Sequence, residues 1–158
     1  MIKLTIIAAI GANNELGLNN DLIWRLSADL KFFKKITMNK AIVMGYNTFK
    51  SLPALLPGRK HLVLSLKEFK VNDVICFTSM EKLLKGLKDY EDVFIIGGAS
   101  IYEQFIDLVD VMYLTEIENS SLADVYFPDF NRNNWHSCVI GHGEEYSIKY
   151  KFVKYWRK

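Results

Sequence analysis

The sequence is short of the residues that settle a protein's class early. Of 158 residues, two are cysteine, three are histidine and three are proline. Cys76 and Cys138 are too few for a disulfide framework, and both stand among apolar, strand-like neighbours, which reads as two buried free thiols. His61, His136 and His142 are scattered, and no Cys/His spacing matches a ligand set, so no metal is expected. Neither sign of charge dominates. Twenty basic and 18 acidic residues leave a formal charge of +2, too balanced for a nucleic-acid or membrane surface. Long apolar runs are missing too. The first ten residues are broken by Lys3 and Thr5 and followed by Asn13, Asn14 and Glu15, which reads as a first strand and not as a signal peptide or membrane span. What remains is 50% apolar and 24% charged, the composition of one ordinary globular domain over residues 1–158, expected to be soluble and cytoplasmic and to bind a small molecule.

Residues 4–10 form a short, nearly continuous apolar run, as a strand buried on both faces requires. Residues 41–44, 61–64 and 93–96 repeat that character, and 74–77 more weakly. Helical patterns lie between them. Ser27 is a candidate cap for a helix with Leu30, Phe33 and Ile36 on one face. Residues 48–52 predict a turn or two of helix stopped by Pro53. Ser79 precedes a helix carrying Leu83, Leu84 and Leu87, and residues 100–108 predict another. After residue 110 the pattern becomes strands alone, over 111–117, 135–140 and 147–155. The order predicts an α/β fold: a doubly wound, mostly parallel eight-stranded sheet with a C-terminal antiparallel hairpin, flanked by about four helices.

Ligands of such sheets bind beyond the carboxyl ends of the strands. The segment after the first strand, 11–27, is long for a connection and holds Gly11, Gly17, several Asn and Trp24. It is either functional or a surface loop plugged by Trp24. Asp29 follows in the first helical turn, where a carboxylate offsets the helix dipole. In an apolar cleft the same group would have a raised pKa and could bind a cationic or amidine-like edge. Gly45, Asn47 and Thr48 open a helix after the second apolar run, and Gly97 and Gly98 open one after residues 93–96. Each could hold phosphate or be a plain strand-to-helix turn, and the glycine pair lacks the third glycine of a dinucleotide fingerprint. Arg59 sits on a Pro57–Gly58 turn, suited to a carboxylate or simply solvated.

In this order, residues 7–10, 16–24, 26–34, 37, 42–45, 48–52, 56–60, 63–65, 95–102, 113–117 and 124–129 resemble dihydrofolate reductase of the bacterial, single-domain kind over nearly the whole chain. The resemblance implies reduction of 7,8-dihydrofolate to tetrahydrofolate, with a hydride from NADPH to pterin C6 and a proton to N5, by a cytoplasmic monomer. It implies that Asp29 binds the pterin's 2-amino group and N3, supported by Thr115. Trp24 and Leu22 would shape the reacting end, with Trp24 ordering a water. Ile7, Ala8, Phe33, Leu52, Leu56 and Ile96 would wall the substrate, and Arg59 would grip the carboxylate of its glutamate tail. The cofactor would lie along Ala9, Leu16, Gly17, Gly45, Tyr46, Asn47, Thr48, Leu64, Ser65, Leu66, Lys67, Gly97, Gly98, Ala99, Ser100, Ile101 and Tyr102. Gly17 and Asp124 would couple the long loop to the loop between the late strands.

Several positions depart from the family pattern. Ile23 and Ser27 stand where prolines are common, and Ala123 where glycine is. Tyr46 replaces the arginine that meets the 2′-phosphate of NADPH, and Leu66 replaces a small hydroxyl residue, which leaves Lys67 to supply the charge. Two rival readings remain: another pteridine or pyrimidine reductase on the same scaffold, and a binding module without catalysis.

Overall fold

In the computed structural model, which describes residues 2–158, the apolar runs become the parallel centre of one sheet. In chain order the elements are β1 (Lys3–Ile10), β2 (Glu15–Leu18), β3 (Asp21–Leu22), α1 (Ser27–Thr37), β4 (Ala41–Gly45), α2 (Tyr46–Ser51), β5 (Lys60–Leu64), β6 (Val74–Phe77), α3 (Met80–Leu87), β7 (Asp92–Ile95), α4 (Ala99–Phe105), β8 (Val111–Ile117), β9 (Val125–Tyr126), β10 (Trp135–Glu145) and β11 (Ile148–Arg157). The eight-stranded sheet runs β10-β11-β8-β1-β7-β4-β5-β6. Strands β8 to β6 in that order are parallel, and β11 and β10 are antiparallel to their neighbours. This is the architecture expected from the sequence.

Because side chains alternate along a strand, each parallel strand feeds two cores. On one face Ile7, Ile42, Met44, Val63 and Phe94 pack with Phe33 and Ile36 of α1 and Phe49 of α2. On the other, Ile6, Ile10, Val43, Leu62 and Ile95 pack with Leu83 and Leu87 of α3 and with Ile101 and Phe105 of α4. Helices on both faces leave the carboxyl ends of the strands as the open rim.

Three local expectations are corrected. Ser27 does not cap α1. It is the first helical residue, Leu26 is the extended cap, and the N–H of Ser27 donates to the Glu145 carboxylate at 2.9 and 3.1 Å. The thiols are not buried, because Cys76 and Cys138 lie on β6 and β10, the two edge strands. The segment after β1 is not irregular either: β2, β3 and β9 make a small antiparallel sheet. Its tight hairpin turns through Asn19 and Asn20, both with positive φ (53° and 62°), the geometry of a two-residue primed turn.

Glu15 ties that small sheet down. It is 1% exposed, and its carboxylate accepts from the N–H groups of Asn13 at 2.6 Å and Ser121 at 2.8 Å. Burial pushes its pKa up, but backbone N–H groups, its own included, outweigh burial and hold the carboxyl below the usual range. A lowered carboxyl pKa gives stability that is full above the unfolded value and lost as pH falls through the folded one. Glu15→Ala is therefore expected to cost about 1–3 kcal/mol at pH 7. The gap to wild type should narrow in acid, as read by urea unfolding at both pH values.

Candidate active site

Asp29 occupies the first turn of α1, and the start of that helix stands beside Ala9 of β1 and Thr115 of β8. Thr115 of β8 stands opposite Ala9 of β1, is 1% exposed, and donates from Oγ1 to Asp29 Oδ1 at 2.6 Å. Burial raises the Asp29 pKa, and the Thr115 hydrogen bond offsets only part of that. Among the described residues, Thr115 is the side chain that hydrogen-bonds this carboxylate. Tyr102 of α4 is buried and donates its hydroxyl to the Ile7 carbonyl at 2.8 Å. Burial, and then the Asp29 charge, push its phenol far above the ordinary range, so it stays neutral.

Beside this pair lies an apolar face. Ile7, Phe33, Leu52, Leu56 and Ile96 belong to one cluster, and all but Ile7 are only half-buried. A sheet face so clothed presents flat hydrophobic walls to an aromatic ligand. Ala8 does not join them, because alternation turns its side chain to the opposite core with Ile6 and Ile10. Leu22 lies on β3 and is half-exposed. Trp24 packs with Ala9, Leu26 and Ala28. A side chain at Gly11 would start 2.5 Å from Trp24 Cη2 and 2.6 Å from Glu15 Oε1, so glycine is needed there. Trp24 thus both plugs the base of its loop and borders the Asp29 region.

At the far end of the face, Arg59 is aimed by its neighbours. Its Nε donates to the Pro57 carbonyl at 3.0 Å and its Nη1 to Thr37 Oγ1 at 3.3 Å, while Thr37 donates to the Phe33 carbonyl at 2.7 Å. Partial burial lowers the guanidinium's pKa, but arginine remains charged.

Gly45 and Gly98 precede α2 and α4, and neither helix start has a side-chain cap or an acidic first turn. The two starts touch: Gly45 N–H donates to the Gly97 carbonyl at 2.9 Å. The Gly97–Gly98 peptide is cis, and Gly97 has φ +124°. A Cβ on Gly45 would press on Ile101 at 3.1 Å, and Thr48 Oγ1 lies 3.5 Å from where a Gly98 Cβ would stand. Paired, uncapped N–H groups without a nearby carboxylate suit a diphosphate. Asn47 is exposed beside them, and Ala99 and Ser100 begin α4.

Further along, Tyr46 tilts against Phe69 with ring centroids 5.3 Å apart, and Lys50 Nζ lies 5.5 Å above the Tyr46 ring. Ser65 is buried and donates to the Lys67 carbonyl at 2.7 Å, Leu66 is 98% exposed and Lys67 is exposed. Leu16 and Leu64 pack against the core on the α3–α4 face. Gly17 pairs with Leu22 and Val125 and accepts from the Asp124 N–H at 3.1 Å, while Asp124 Oδ2 accepts from the Asn19 N–H at 3.0 Å. Residues 17 and 124 are therefore joined, as the family resemblance implies. Sequence reasoning missed Glu15, His61 and Glu145. A carboxylate between two Asn pairs, 13–14 and 19–20, was a signal for the first, and a lone histidine opening an apolar strand for the second; Glu145 had none. Among the described residues no three His, Cys, Asp or Glu side chains converge as metal ligands, and no helix is long and apolar enough to cross a membrane.

The raised Asp29 pKa sets a sign for stability. Between the unfolded and folded values the native state holds the extra proton, so stability falls as pH rises through that window and stays reduced above it. Asp29→Asn is expected to melt at or above the wild-type temperature at pH 7, with the advantage shrinking below the usual carboxylate range. Calorimetry without ligand at neutral and acid pH checks this.

The profile of the dihydrofolate reductase family matches residues 3–157. The chain is 34% identical over 162 residues to the dihydrofolate reductase of Neisseria gonorrhoeae, covering 100% of both chains. It is 34% identical over 159 residues to that of Bacillus subtilis (strain 168), covering 98% of this chain and 95% of the relative. Among solved structures, dihydrofolate reductase from Enterococcus faecalis, complexed with NADP(H) and RAB-propyl, superposes with a TM-score of 0.89 at 28% identity, covering 99% of this chain and 96% of that one. The carboxylate–threonine pair, the apolar face and the paired helix starts lie within the matched length, and the chain belongs to the dihydrofolate reductase family.

Proposed function

We propose that the chain, acting as one domain, reduces 7,8-dihydrofolate to 5,6,7,8-tetrahydrofolate, consuming NADPH and one proton. The observation that carries this is the Asp29–Thr115 pair at the end of an apolar face, next to two touching uncapped helix starts. NADPH, when bound, supplies the hydride that passes to pterin C6. Gly45, Asn47, Thr48, Gly97, Gly98 and Ala99 would hold its diphosphate through backbone N–H groups, with Ile101 backing them and Tyr102 beside the nicotinamide. The stretch from Leu64 to Lys67, with Tyr46, would meet its adenosine end. Ala9, Leu16 and Gly17 would close over the other end.

Asp29 takes the pterin's 2-amino group and N3 on its carboxylate, and Thr115 holds that carboxylate in place. The proton gained at N5 is drawn to the pterin by this negative charge and arrives through water ordered beside Trp24. Ile7, Phe33, Leu52, Leu56 and Ile96 exclude bulk water and set the two rings face to face, so the protein's contribution is orientation and one tuned proton. Ala8 contributes through its backbone, Leu22 by covering the reacting end, and Arg59 by a charged fork to the tail carboxylate. The same reading carries a cytoplasmic monomer that binds neither nucleic acid nor membrane; the balanced charge supports it. No observation favours the pyrimidine-reductase or non-catalytic reading.

Mixing the protein with NADPH and dihydrofolate should deplete reduced-nicotinamide absorbance; no turnover would contradict the reading. Asp29→Asn should turn over about 10²–10⁴-fold more slowly at pH 7. The deficit should shrink as pH falls, because substrate protonated in solution no longer needs the carboxylate. Full activity of Asp29→Asn at pH 7 would remove Asp29 from the mechanism.

Tyr46 and Leu66 weaken the site for the 2′-phosphate, since a phenol donates one neutral hydrogen bond and a leucine side chain none. Lys67, one residue on, brings an exposed ammonium as a point charge. NADPH should still win over NADH, by a margin that salt erodes because an exposed lysine is screened. Lys67→Ala should lose on the order of tenfold or more in NADPH affinity with little change for NADH, in titrations at low and high salt. An unchanged ratio of the two affinities would clear Lys67 of the role.

A further inference from the structure

His61 is a buried titratable group for which the reaction above has no use. It opens the apolar part of β5, is 1% exposed, and stands in a cross-strand row with Phe94, Ile42 and Val74. An imidazole in such a row is costly unless its nitrogens are paired. Both are, and both go to the same turn. The Leu56 N–H donates to Nε2 at 3.0 Å, and Nδ1 lies 3.1 Å from the Arg59 carbonyl oxygen. An N–H can only donate and a carbonyl can only accept, so the ring must be neutral with its proton on Nδ1. Burial lowers the imidazole's pKa, in keeping with a neutral ring.

The two groups tied by this ring stand at opposite ends of the turn 56–59. Leu56 belongs to the apolar face that would hold the ring next to the pterin, and Arg59 reaches Thr37 with the guanidinium that would take the tail carboxylate. The other ties of the turn are Asn39 N–H to the Gly58 carbonyl, Lys60 N–H to the Lys40 carbonyl, and the Arg59 guanidinium to the Pro57 carbonyl and Thr37 Oγ1. None of them reaches Leu56.

We propose that His61 is a positioning residue for the acyl-glutamate tail of the substrate. One imidazole bolts both ends of the turn 56–59 and so sets the spacing between the wall at Leu56 and the guanidinium of Arg59. The inference rests on the reading that the apolar face takes dihydrofolate. It separates His61 from the pterin end, where Asp29 and Thr115 act.

The test is steady-state kinetics with two substrates, dihydrofolate and a dihydropterin carrying a methyl group in place of the tail. His61→Leu leaves the Leu56 N–H and the Arg59 carbonyl without their partner. It should raise KM for dihydrofolate on the order of tenfold, with kcat within about twofold and the tail-less substrate unaffected. His61→Gln, which can keep one of the two bonds, should fall between. Equal losses on both substrates, or none on either, would overturn the proposal. If His61→Leu does not fold, His61→Gln and the wild-type protein still decide. A long-range ¹H–¹⁵N spectrum of the wild-type imidazole at pH 7 should show Nδ1 protonated and Nε2 bare. The opposite tautomer or an imidazolium would overturn it. Wild type that reduces neither substrate would sink the functional reading and this proposal with it, whereas the tautomer tests the geometry alone.

Discussion

Keeping a carboxylate charged in an apolar cleft is the constraint around which the site is arranged. Asp29 is withdrawn from water with Thr115 as its side-chain partner, and burial wins over that hydrogen bond in setting its pKa. A group held this way is poorly satisfied until a ligand with donors on one edge arrives. The flat apolar walls beside it select a ligand whose remaining surface is aromatic. The same burial that destabilises the empty protein would, in the proposed reaction, supply its affinity for the pterin edge. Thr115 can occupy its place because β8 pairs with β1 on one side and β11 on the other, which brings a C-terminal antiparallel hairpin to the flank of a parallel sheet.

The second half of the site follows from strand order. β4 and β7 are neighbours, so the helices that follow them start side by side, and the Gly45–Gly97 hydrogen bond locks the two starts together. Neither helix has an acidic residue in its first turn. Nicotinamide chemistry needs the cofactor's reactive ring beside the pterin, and in the proposed function β1, which lies between β7 and β8, would provide that adjacency. In the proposed function, selection between cofactors would be left to the periphery, where Tyr46, tilted against Phe69 and under Lys50, takes the place the family resemblance gives to an arginine.

Much of this was legible in the sequence because the parallel strands are buried on both faces and so read as bare apolar runs. Asp29, Arg59 and the glycine pair stood out by residue type and place after a strand, whereas Thr115, which the structure sets against Asp29, was legible only through the family resemblance. What was not legible depends on partners far away in sequence. Glu145 caps α1 across more than a hundred residues, and no local pattern announces it. Cys138 read as buried because its neighbours are apolar, yet β10 is an edge strand and edge position is a property of the whole sheet. The hairpin at Asn19 and Asn20 was hidden because neither turn residue is glycine, although asparagine tolerates the positive φ they adopt. His61 was passed over because a lone histidine beside an apolar run gives no hint that both ring nitrogens are engaged by one turn.

The central claim is that Asp29 is a carboxylate whose charge is disfavoured by its surroundings before substrate binds. It is tested most directly by following the ¹³C shift of the Asp29 carboxyl against pH in the ligand-free protein, with the resonance assigned by its loss in Asp29→Asn. The account predicts a midpoint above that of an ordinary aspartate, about 3.9. A midpoint at or below that value would mean that hydrogen bonds, and not burial, govern the group, and would contradict the account.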